Sequence, residues 1–380
     1  MGRVEYGRAG SLIKEYKDDG VKDIMSTYFL HPIWAMKTGS PIPDMPLDVQ
    51  FELVNRCNLQ CIDCGARMPT TRARSLLEWE VLRKCVDEAA SEGVCYFTIC
   101  GIGEASLHPD LWRLCGYIRS KDVEQKGLRV LPMMPTILVS NGMYSLAQVE
   151  ECIKNPPDVL SISVAGLTDE EIERRRSPLQ IDRLWQNIRT IYKGRKVVRG
   201  VDGSLVPIIH VSTHILPREY SERAEDIRAF KKRWFEVSDA VVIKPRMIGK
   251  FTESYGEFLV NAVSRSEGDG HLCYADISQT YFQRIAPCFE TSRRLSIDSD
   301  GNVWCGHHRS EDFGRFLGNV KWQSLREIWH GEPMNEFRRQ VRAGAFERPC
   351  CMTCGDEIRE VQRERAERVE DNLRFLPSAV

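Results

Sequence analysis

The sequence predicts an α/β fold, a partial (β/α)6 TIM-like barrel followed by a small C-terminal α+β domain. Apolar strand-like segments alternate six times with helical or connecting segments between residues 47 and 244. This alternation indicates parallel βαβ units with right-handed crossovers. A closed eight-unit barrel usually needs about 250 residues, and only about 200 are used here. After Lys250 the alternation stops, and short strands with a hairpin turn follow.

The predicted strands are short and bounded by turn-forming residues. In chain order they span residues 47–54, 94–100, 135–140, 158–164, 206–213 and 239–244. The predicted helices have apolar residues at helical spacing and span residues 75–93, 110–120, 145–153, 183–192 and 218–234. Beyond the barrel, Asp300-Gly301 predicts a hairpin turn, and residues 324–346 predict an interrupted helix.

The same pattern divides the chain into five segments. Residues 1–46 are expected to form an N-terminal helical extension, with helix-compatible stretches at 12–16 and 21–30. The partial barrel, a connector, the C-terminal domain and a charged helical tail follow at residues 47–250, 251–287, 288–360 and 361–380.

The composition indicates a cytoplasmic globular protein. Hydrophobic residues make up 42% and charged residues 28%, which excludes global disorder. A formal net charge of -1 gives no strong nucleic-acid signal. No apolar run approaches the roughly 20 residues needed to span a bilayer, and the N-terminus lacks the apolar core of a secretion signal. We therefore expect no membrane partner.

The chain contains fourteen cysteines, an unusual number for a reducing compartment, where clustered thiols indicate metal or redox chemistry rather than disulfides. Five of them lie among apolar residues and are expected to be buried core thiols: Cys85, Cys95, Cys100, Cys115 and Cys152. The other nine fall in two groups, one directly after the first strand and one in the C-terminal third of the chain.

The first group is a C-x3-C-x2-C motif, VNRCNLQCIDCG, that contains Cys57, Cys61 and Cys64. One alternative is a helix face, since these positions also line one side of a helix, but polar residues separate the cysteines. A structural zinc site is a second alternative, although zinc normally takes four protein ligands. Three thiolates suit a 4Fe-4S cluster with one open iron. The motif also follows a barrel strand, at the end where barrel enzymes place their chemistry.

With this motif, residues 47–250 resemble the radical S-adenosylmethionine (SAM) superfamily. Three further turns support the resemblance. CGIGEASL (100–107) matches the family's Gly-Gly-Glu-Pro turn, whose backbone meets the SAM amino group, although Ala105 replaces the proline. SNG (140–142) matches Thr-Asn-Gly, and SVAG (163–166) resembles Ser-x-Asp-Gly.

The resemblance implies a set of SAM-binding residues, namely Gly101, Gly103, Glu104, Asn141, Ser163 and Arg176. Arg176 is chosen as the carboxylate partner, with its neighbours Arg174 and Arg175 as alternatives. The family usually has an aromatic residue before the third cysteine, where this chain has Asp63, so the usual adenine contact is not expected there.

Cysteines of the second group lie in the stretches LSIDSDGNVWCGHH (295–308) and RPCCMTC (348–354), which resemble the auxiliary-cluster module called SPASM or, in its shorter form, twitch. The resemblance implies that four cysteines bind a second 4Fe-4S cluster that transfers electrons: Cys288, Cys305, Cys351 and Cys354. Cys350 is an alternative to Cys351, and a zinc site is an alternative to the cluster. Cys273 is left over; it is either an inert connector residue or, in an epimerase, a hydrogen-atom donor.

The resemblance implies reductive cleavage of SAM to a 5′-deoxyadenosyl radical, with an electron donor such as flavodoxin or ferredoxin. The radical would abstract a hydrogen atom from a small polar metabolite, such as a sugar, aminocyclitol or nucleoside, in a two-electron dehydrogenation. Epimerisation and peptide modification by a maturase are alternatives, as is a non-enzymatic zinc or iron-sulfur protein, which would not need the SAM-binding turns. His210 and Lys244 are candidate substrate contacts, and the sequence does not settle which of them faces the barrel interior.

Overall fold

The computed structural model of the chain describes residues 13–16, 44–62, 64, 73–94, 96–124, 135–196, 205–215, 219–245, 294–304 and 315–343. The predicted connector and charged tail lie outside these residues. So do Cys95, Cys273 and the proposed ligands of the second cluster, Cys288, Cys305, Cys351 and Cys354.

The described strands form one ten-stranded sheet with the order β1-β7-β6-β5-β4-β3-β2-β8-β9-β10. The strands are β1 (Ile13–Tyr16), β2 (Asp48–Phe51), β3 (Tyr96–Ile99), β4 (Thr136–Ser140), β5 (Val159–Ser163), β6 (Ile208–Ile215), β7 (Ala240–Pro245), β8 (Arg294–Ile297), β9 (Asn302–Trp304) and β10 (Phe316–Asn319). Strands β2 to β7 are parallel neighbours in chain order.

Helices connect most of these strands. They are α1 (Trp79–Glu92), α2 (Leu111–Glu124), α3 (Leu146–Lys154), α4 (Asp169–Arg175), α5 (Ile181–Gly194), α6 (Glu219–Glu222), α7 (Ala224–Trp234), α8 (Leu325–Trp329) and α9 (Glu332–Arg342). Capping boxes begin two of them. Ser145 and Gln148 cap α3, and Ser324 and Glu327 cap α8, which satisfies backbone N–H groups that have no partner within the helix.

The prediction of an open six-unit barrel is confirmed. The parallel strands do not close on themselves, because β7 pairs with β1 and β2 pairs with β8. Apolar residues on one face of the strands pack beneath the helices. The rings of Phe51 and Phe97, for example, are stacked with their centroids 5.7 Å apart. The opposite face of β2 carries Asp48, Gln50 and Glu52, all buried. Polar residues on this face fit the concave side of an open barrel.

The structure corrects two of the predicted elements. The helix expected at 12–16 is wrong, since Ile13–Tyr16 form strand β1, antiparallel to β7. Four residues are too few for periodicity to distinguish strand from helix, and the free edge of β7 decides the outcome. The single helix expected at 218–234 is divided at Arg223 into α6 and α7.

The C-terminal strands continue the barrel sheet. Strand β8 lies parallel to β2, and β9 and β10 follow as antiparallel neighbours. A buried ion pair between Asp48 and Arg294 crosses this junction, and Asp48 also accepts a hydrogen bond from Thr98 at 3.2 Å. Lys84 of α1 donates to the carbonyl oxygens of Val320 and Gln323 at 2.9 and 2.8 Å. The described part of the C-terminal domain is thus joined to the barrel by a strand pair, an ion pair and a helix contact.

Among the described residues, no helix combines the length and the apolar character that a membrane crossing requires.

Candidate active site

The cysteine loop after β2 is fixed against the segment that follows α4. The amide of Gln60 donates to the carbonyl of Ser177 at 2.6 Å, and the amide of Ile62 donates to the carbonyl of Arg175 at 2.9 Å. Within the loop, the amide of Cys64 donates to the carbonyl of Cys61 at 3.2 Å. These bonds place Cys61 and Cys64 beside the chain that carries Arg176.

Cys57 begins the loop and is exposed. The backbone N–H of Leu59 donates to Cys57 Sγ at 3.4 Å. Desolvation by the surrounding loops raises the pKa of the Cys57 thiol, and the nearby Glu104 carboxylate raises it further, while the Leu59 N–H lowers it. A cation at this position, such as cluster iron, would favour the thiolate over the thiol.

The glycine-rich turn after β3 crosses the start of the cysteine loop at close range. A Cβ on Gly103 would lie 2.1 Å from the carbonyl oxygen of Val54 and 2.7 Å from that of Arg56. A Cβ on Gly101 would lie 2.5 Å from Cγ of Glu52, whose carboxylate accepts from the amide of Ile102 at 2.9 Å. Glycine is therefore required at 103, where the obstructing atoms are backbone, and strongly favoured at 101.

Glu104 is a buried carboxylate that joins two of the motifs. It accepts hydrogen bonds from the amide of Ser106 at 3.1 Å, the hydroxyl of Ser140 at 2.7 Å and the amide of Asn141 at 2.9 Å. Its own amide donates to the carbonyl of Arg56 at 2.8 Å. Its side chain therefore holds the turn after β4 in place.

Arg176 lies between Ser163 and the three thiols. Its guanidinium donates to the Ser163 hydroxyl at 2.9 Å. Burial lowers the pKa of Arg176, and the nearby negative groups of the cysteine loop and Glu104 act in the opposite direction. Its Nε atom is buried and has no hydrogen-bond partner among the described residues. Arg174, by contrast, is exposed. A buried donor without a partner on a half-buried cation is suited to an anionic ligand such as a carboxylate.

The strand register shows on which face of the sheet positions 210 and 244 lie. His210 pairs with Ser161, Ser212 pairs with Ser163, and position 244 pairs with His214. Because paired positions share a face and faces alternate along a strand, positions 210 and 244 lie on the same face of the sheet as Ser163. Both positions therefore belong to the concave face.

The side-chain roles of three residues that support the site were not predicted: Glu52, Asn58 and Ser140, the last of which was identified only as part of the SNG turn. Glu52 had a detectable signal, because polar residues at every second position of a buried strand indicate an interior polar face. Asn58 and Ser140 gave no such signal, since their partners, Asn141 and Glu104, lie far away in sequence.

The residues present fit an iron-sulfur cluster with an attached ligand. Among the described residues, no three His, Cys, Asp or Glu side chains converge as the ligands of a single metal ion would. Thiolates that bind a 4Fe-4S cluster attach to different irons and need not converge in this way. Three thiols on one loop, next to a half-buried arginine whose buried Nε has no partner among the described residues, suit a cluster whose fourth iron takes an exogenous anionic group.

The open parallel barrel with a three-cysteine loop at the carboxyl end of its first parallel strand defines a class of cofactor-dependent barrel proteins. The predicted resemblance to the radical SAM superfamily is confirmed over residues 51–210. The family model described as "Radical SAM superfamily" matches residues 51–210. The SPASM family model, described as "Iron-sulfur cluster-binding domain", matches residues 288–355. Its cofactors are accordingly 4Fe-4S clusters and SAM.

Similar proteins include the mycofactocin maturase MftC of Mycobacterium tuberculosis, which is 26% identical over 165 residues, or 37% of this chain. The match spans about two-fifths of the relative, at 41% of its length. Two solved structures share the fold. The structure of anSMEcpe with bound AdoMet has a TM-score of 0.55 and 16% identity, covering 86% of this chain and 100% of its own. Streptococcus suis SuiB bound to the precursor peptide SuiA has a TM-score of 0.53 and 13% identity, covering 88% and 74%.

Proposed function

We propose that this protein reductively cleaves SAM and uses the resulting 5′-deoxyadenosyl radical to abstract a hydrogen atom from its substrate. The observation that carries the proposal is the position of the cysteine loop, which two backbone hydrogen bonds hold against the segment containing Arg176. Cys57, Cys61 and Cys64 would hold the cluster, which when reduced would supply the electron for cleavage of the sulfonium C–S bond.

The chain's own residues would bind and orient SAM. The backbone of Gly101 and Gly103 offers a side-chain-free surface for the amino group, which agrees with the close approach of the loops around it. Arg176 would hold the SAM carboxylate through its unsatisfied Nε, and Ser163 would fix the guanidinium. Glu104 and Asn141, whose side chains already have protein partners, would support this site by holding the turns around it in place.

We propose that the substrate is a small polar metabolite and that the reaction is a two-electron dehydrogenation. The concave face supports this, because Ser161, His210 and Ser212 lie on it beside Ser163 and carry hydrogen-bonding groups. A second cluster, bound by Cys288, Cys305, Cys351 and Cys354, would accept the substrate's second electron. Flavodoxin or ferredoxin would reduce the first cluster.

Anaerobic reconstitution with iron, sulfide, SAM and dithionite tests the proposal. We expect 5′-deoxyadenosine from the wild type, none from the Cys57→Ala, Cys61→Ala, Cys64→Ala triple variant, and normal release from Cys85→Ala, which alters a buried thiol away from the loop. Retained 5′-deoxyadenosine in the triple variant, or its absence from the reconstituted wild type, would sink the assignment and favour a non-enzymatic iron-sulfur or zinc protein.

The metal content tests the second cluster separately. Two 4Fe-4S clusters require about eight irons per chain. Replacing Cys351 and Cys354 by Ala should reduce this number to about four and leave 5′-deoxyadenosine formation in place. About four irons with one zinc in the wild type would instead indicate a structural zinc site in the C-terminal domain.

A second candidate function is peptide modification, which is favoured by the match to a protein named as a maturase. Mass spectrometry distinguishes the reactions once a substrate is found. A dehydrogenated metabolite is two mass units lighter, and its formation supports the first candidate. A metabolite whose mass is unchanged in ordinary water, and which gains one deuterium when turnover takes place in deuterium oxide, identifies an epimerase. Cys273→Ala should then stop turnover. A modified peptide establishes the maturase.

A further inference from the structure

The side chain of Asn141 contacts the cysteine loop directly. Its Nδ2 donates to Cys57 Sγ at 3.8 Å, within the range of an N–H···S bond, and to Asn58 Oδ1 at 2.8 Å. Its Oδ1 accepts from the amide of Met143 at 2.9 Å. The opposite orientation of the side-chain amide would turn the NH₂ group towards the Met143 N–H, so the nitrogen belongs on the sulfur side. Each polar atom of this side chain thus has a protein partner.

The position of Asn141 is itself determined by Glu104. The backbone N–H of Asn141 donates to Glu104 Oε2 at 2.9 Å, and the hydroxyl of the preceding Ser140 donates to Oε1 at 2.7 Å. Both Glu104 and Asn141 are buried. A buried carboxylate with three hydrogen-bond donors is rigidly held, because breaking any of these bonds leaves a charge poorly solvated.

We infer that Asn141 is a positioning residue for the cluster, not a SAM contact: its amide orients the Cys57 thiolate and raises the reduction potential of the cluster bound there, while Glu104 holds Asn141 in place. An N–H donor withdraws negative charge from a ligating sulfur and so favours the reduced, more negative cluster. The inference rests on the proposed function, since it assumes that Cys57 binds a cluster.

The test is a redox titration of the full chain, followed by electron paramagnetic resonance. The signal of this cluster is the one that is missing from the Cys57→Ala, Cys61→Ala, Cys64→Ala variant. In Asn141→Ala the donor is lost, and in Asn141→Asp an acceptor of the same shape replaces it. At a fixed potential near the wild-type midpoint, we expect the ratio of reduced to oxidised cluster to fall about tenfold in either variant. A change of this size corresponds to the free energy of one hydrogen bond to a charged acceptor. SAM affinity should change less than about twofold.

Asn187→Ala is the matched control. Asn187 is also buried, and its Nδ2 donates to the carbonyls of Gly142 and Tyr144, both at 3.0 Å. It therefore supports the same turn without reaching the sulfur, and its loss should leave the potential unchanged. If Asn187→Ala lowers the potential as much as the Asn141 variants do, Asn141 has only a general structural role and the inference is overturned.

The remaining outcomes also decide the question. An unchanged potential with much weaker SAM binding in Asn141→Ala would make Asn141 a SAM contact and overturn the inference. Loss of the cluster from both Asn141 variants, with normal assembly in Asn187→Ala, would support the positioning of Cys57. A wild type that holds the cluster and yields no 5′-deoxyadenosine would contradict the proposed function alone, because the potential shift is measured without SAM.

Discussion

Arg176 makes both a hydrogen bond and electrostatic interactions at the proposed SAM site, because its guanidinium donates to Ser163 and lies close to the charges of the cysteine loop. We expect Arg176→Ala to weaken SAM binding by at least about tenfold, since a charge-assisted hydrogen bond to the carboxylate is lost. Equilibrium dialysis of the anaerobic protein measures this. Arg174→Ala is the control, because Arg174 is exposed on α4, two residues before Arg176. A larger effect at Arg174 than at Arg176 would reverse the assignment.

Three cysteines outside the loop behave as core residues. Burial raises the pKa of Cys85 and of Cys115 to about 12, and it also raises that of Cys152. The reactive thiolate is thus nearly absent at pH 8. We expect none of the three to react with iodoacetamide at pH 8 in the native protein, and all three to react in urea, as followed by mass spectrometry. Native labelling of Cys115 at the rate of a free thiol would contradict its burial.

The raised pKa values also predict the alkaline stability of the fold. In the unfolded chain these thiols ionise near pH 9, whereas Cys85 and Cys115 do so only near 12 when folded. The folded state therefore holds more protons between these values, and stability falls as the pH rises through this window. Urea denaturation at pH 8 and pH 10 should show the loss, and the double variant Cys85→Ala, Cys115→Ala should show a smaller pH dependence than the wild type.

At the scale of elements, the turn after β3 and the loop after β2 are one unit, because Gly103 lies directly against the carbonyls of Val54 and Arg56. We expect Gly103→Ala to push these loops apart and to abolish SAM binding while the barrel stays folded. Circular dichroism and dialysis measure the two effects. Gly116→Ala is the control, since Gly116 lies within α2. The atom nearest to a Cβ at this position would be Oδ1 of the Asn155 side chain, at 3.0 Å, and not a backbone atom. Normal SAM binding by Gly103→Ala would show that the loops can separate without cost.

At the scale of the whole molecule, the barrel and the described part of the C-terminal domain share one sheet. The Asp48–Arg294 pair is buried at their junction. We expect Asp48→Asn to reduce the free energy of unfolding by about 3 kcal/mol, because it removes the carboxylate charge from a buried ion pair. Urea denaturation measures this loss.

Two further variants test whether the stability lost in Asp48→Asn comes from the buried Asp48–Arg294 pair. Glu78→Gln removes an exposed pair with Lys321, and its effect should stay below about 0.5 kcal/mol. The double variant Asp48→Leu, Arg294→Met should recover much of the lost stability, since apolar residues can replace a buried pair. Equal losses in Asp48→Asn and Glu78→Gln would show that the buried pair does not stabilise the junction.

The sequence by itself determined the features that depend on local spacing. The C-x3-C-x2-C motif, the glycine-rich turn and the six-fold alternation of strands and helices each lie within short stretches of chain, where residue type and periodicity carry the information. They were enough to predict the open barrel, the superfamily and its cofactors.

Only the tertiary structure decided which distant groups meet. Asn141 reaches Cys57 across 84 positions of sequence, and Arg294 reaches Asp48 across 246, because strand order and register bring them together. The same register placed His210 and Ser163 on one face, and an open edge on β7 made a strand of Ile13–Tyr16. Pairings of this kind depend on the assembled sheet, since a shift of one residue in register would turn every side chain to the other face.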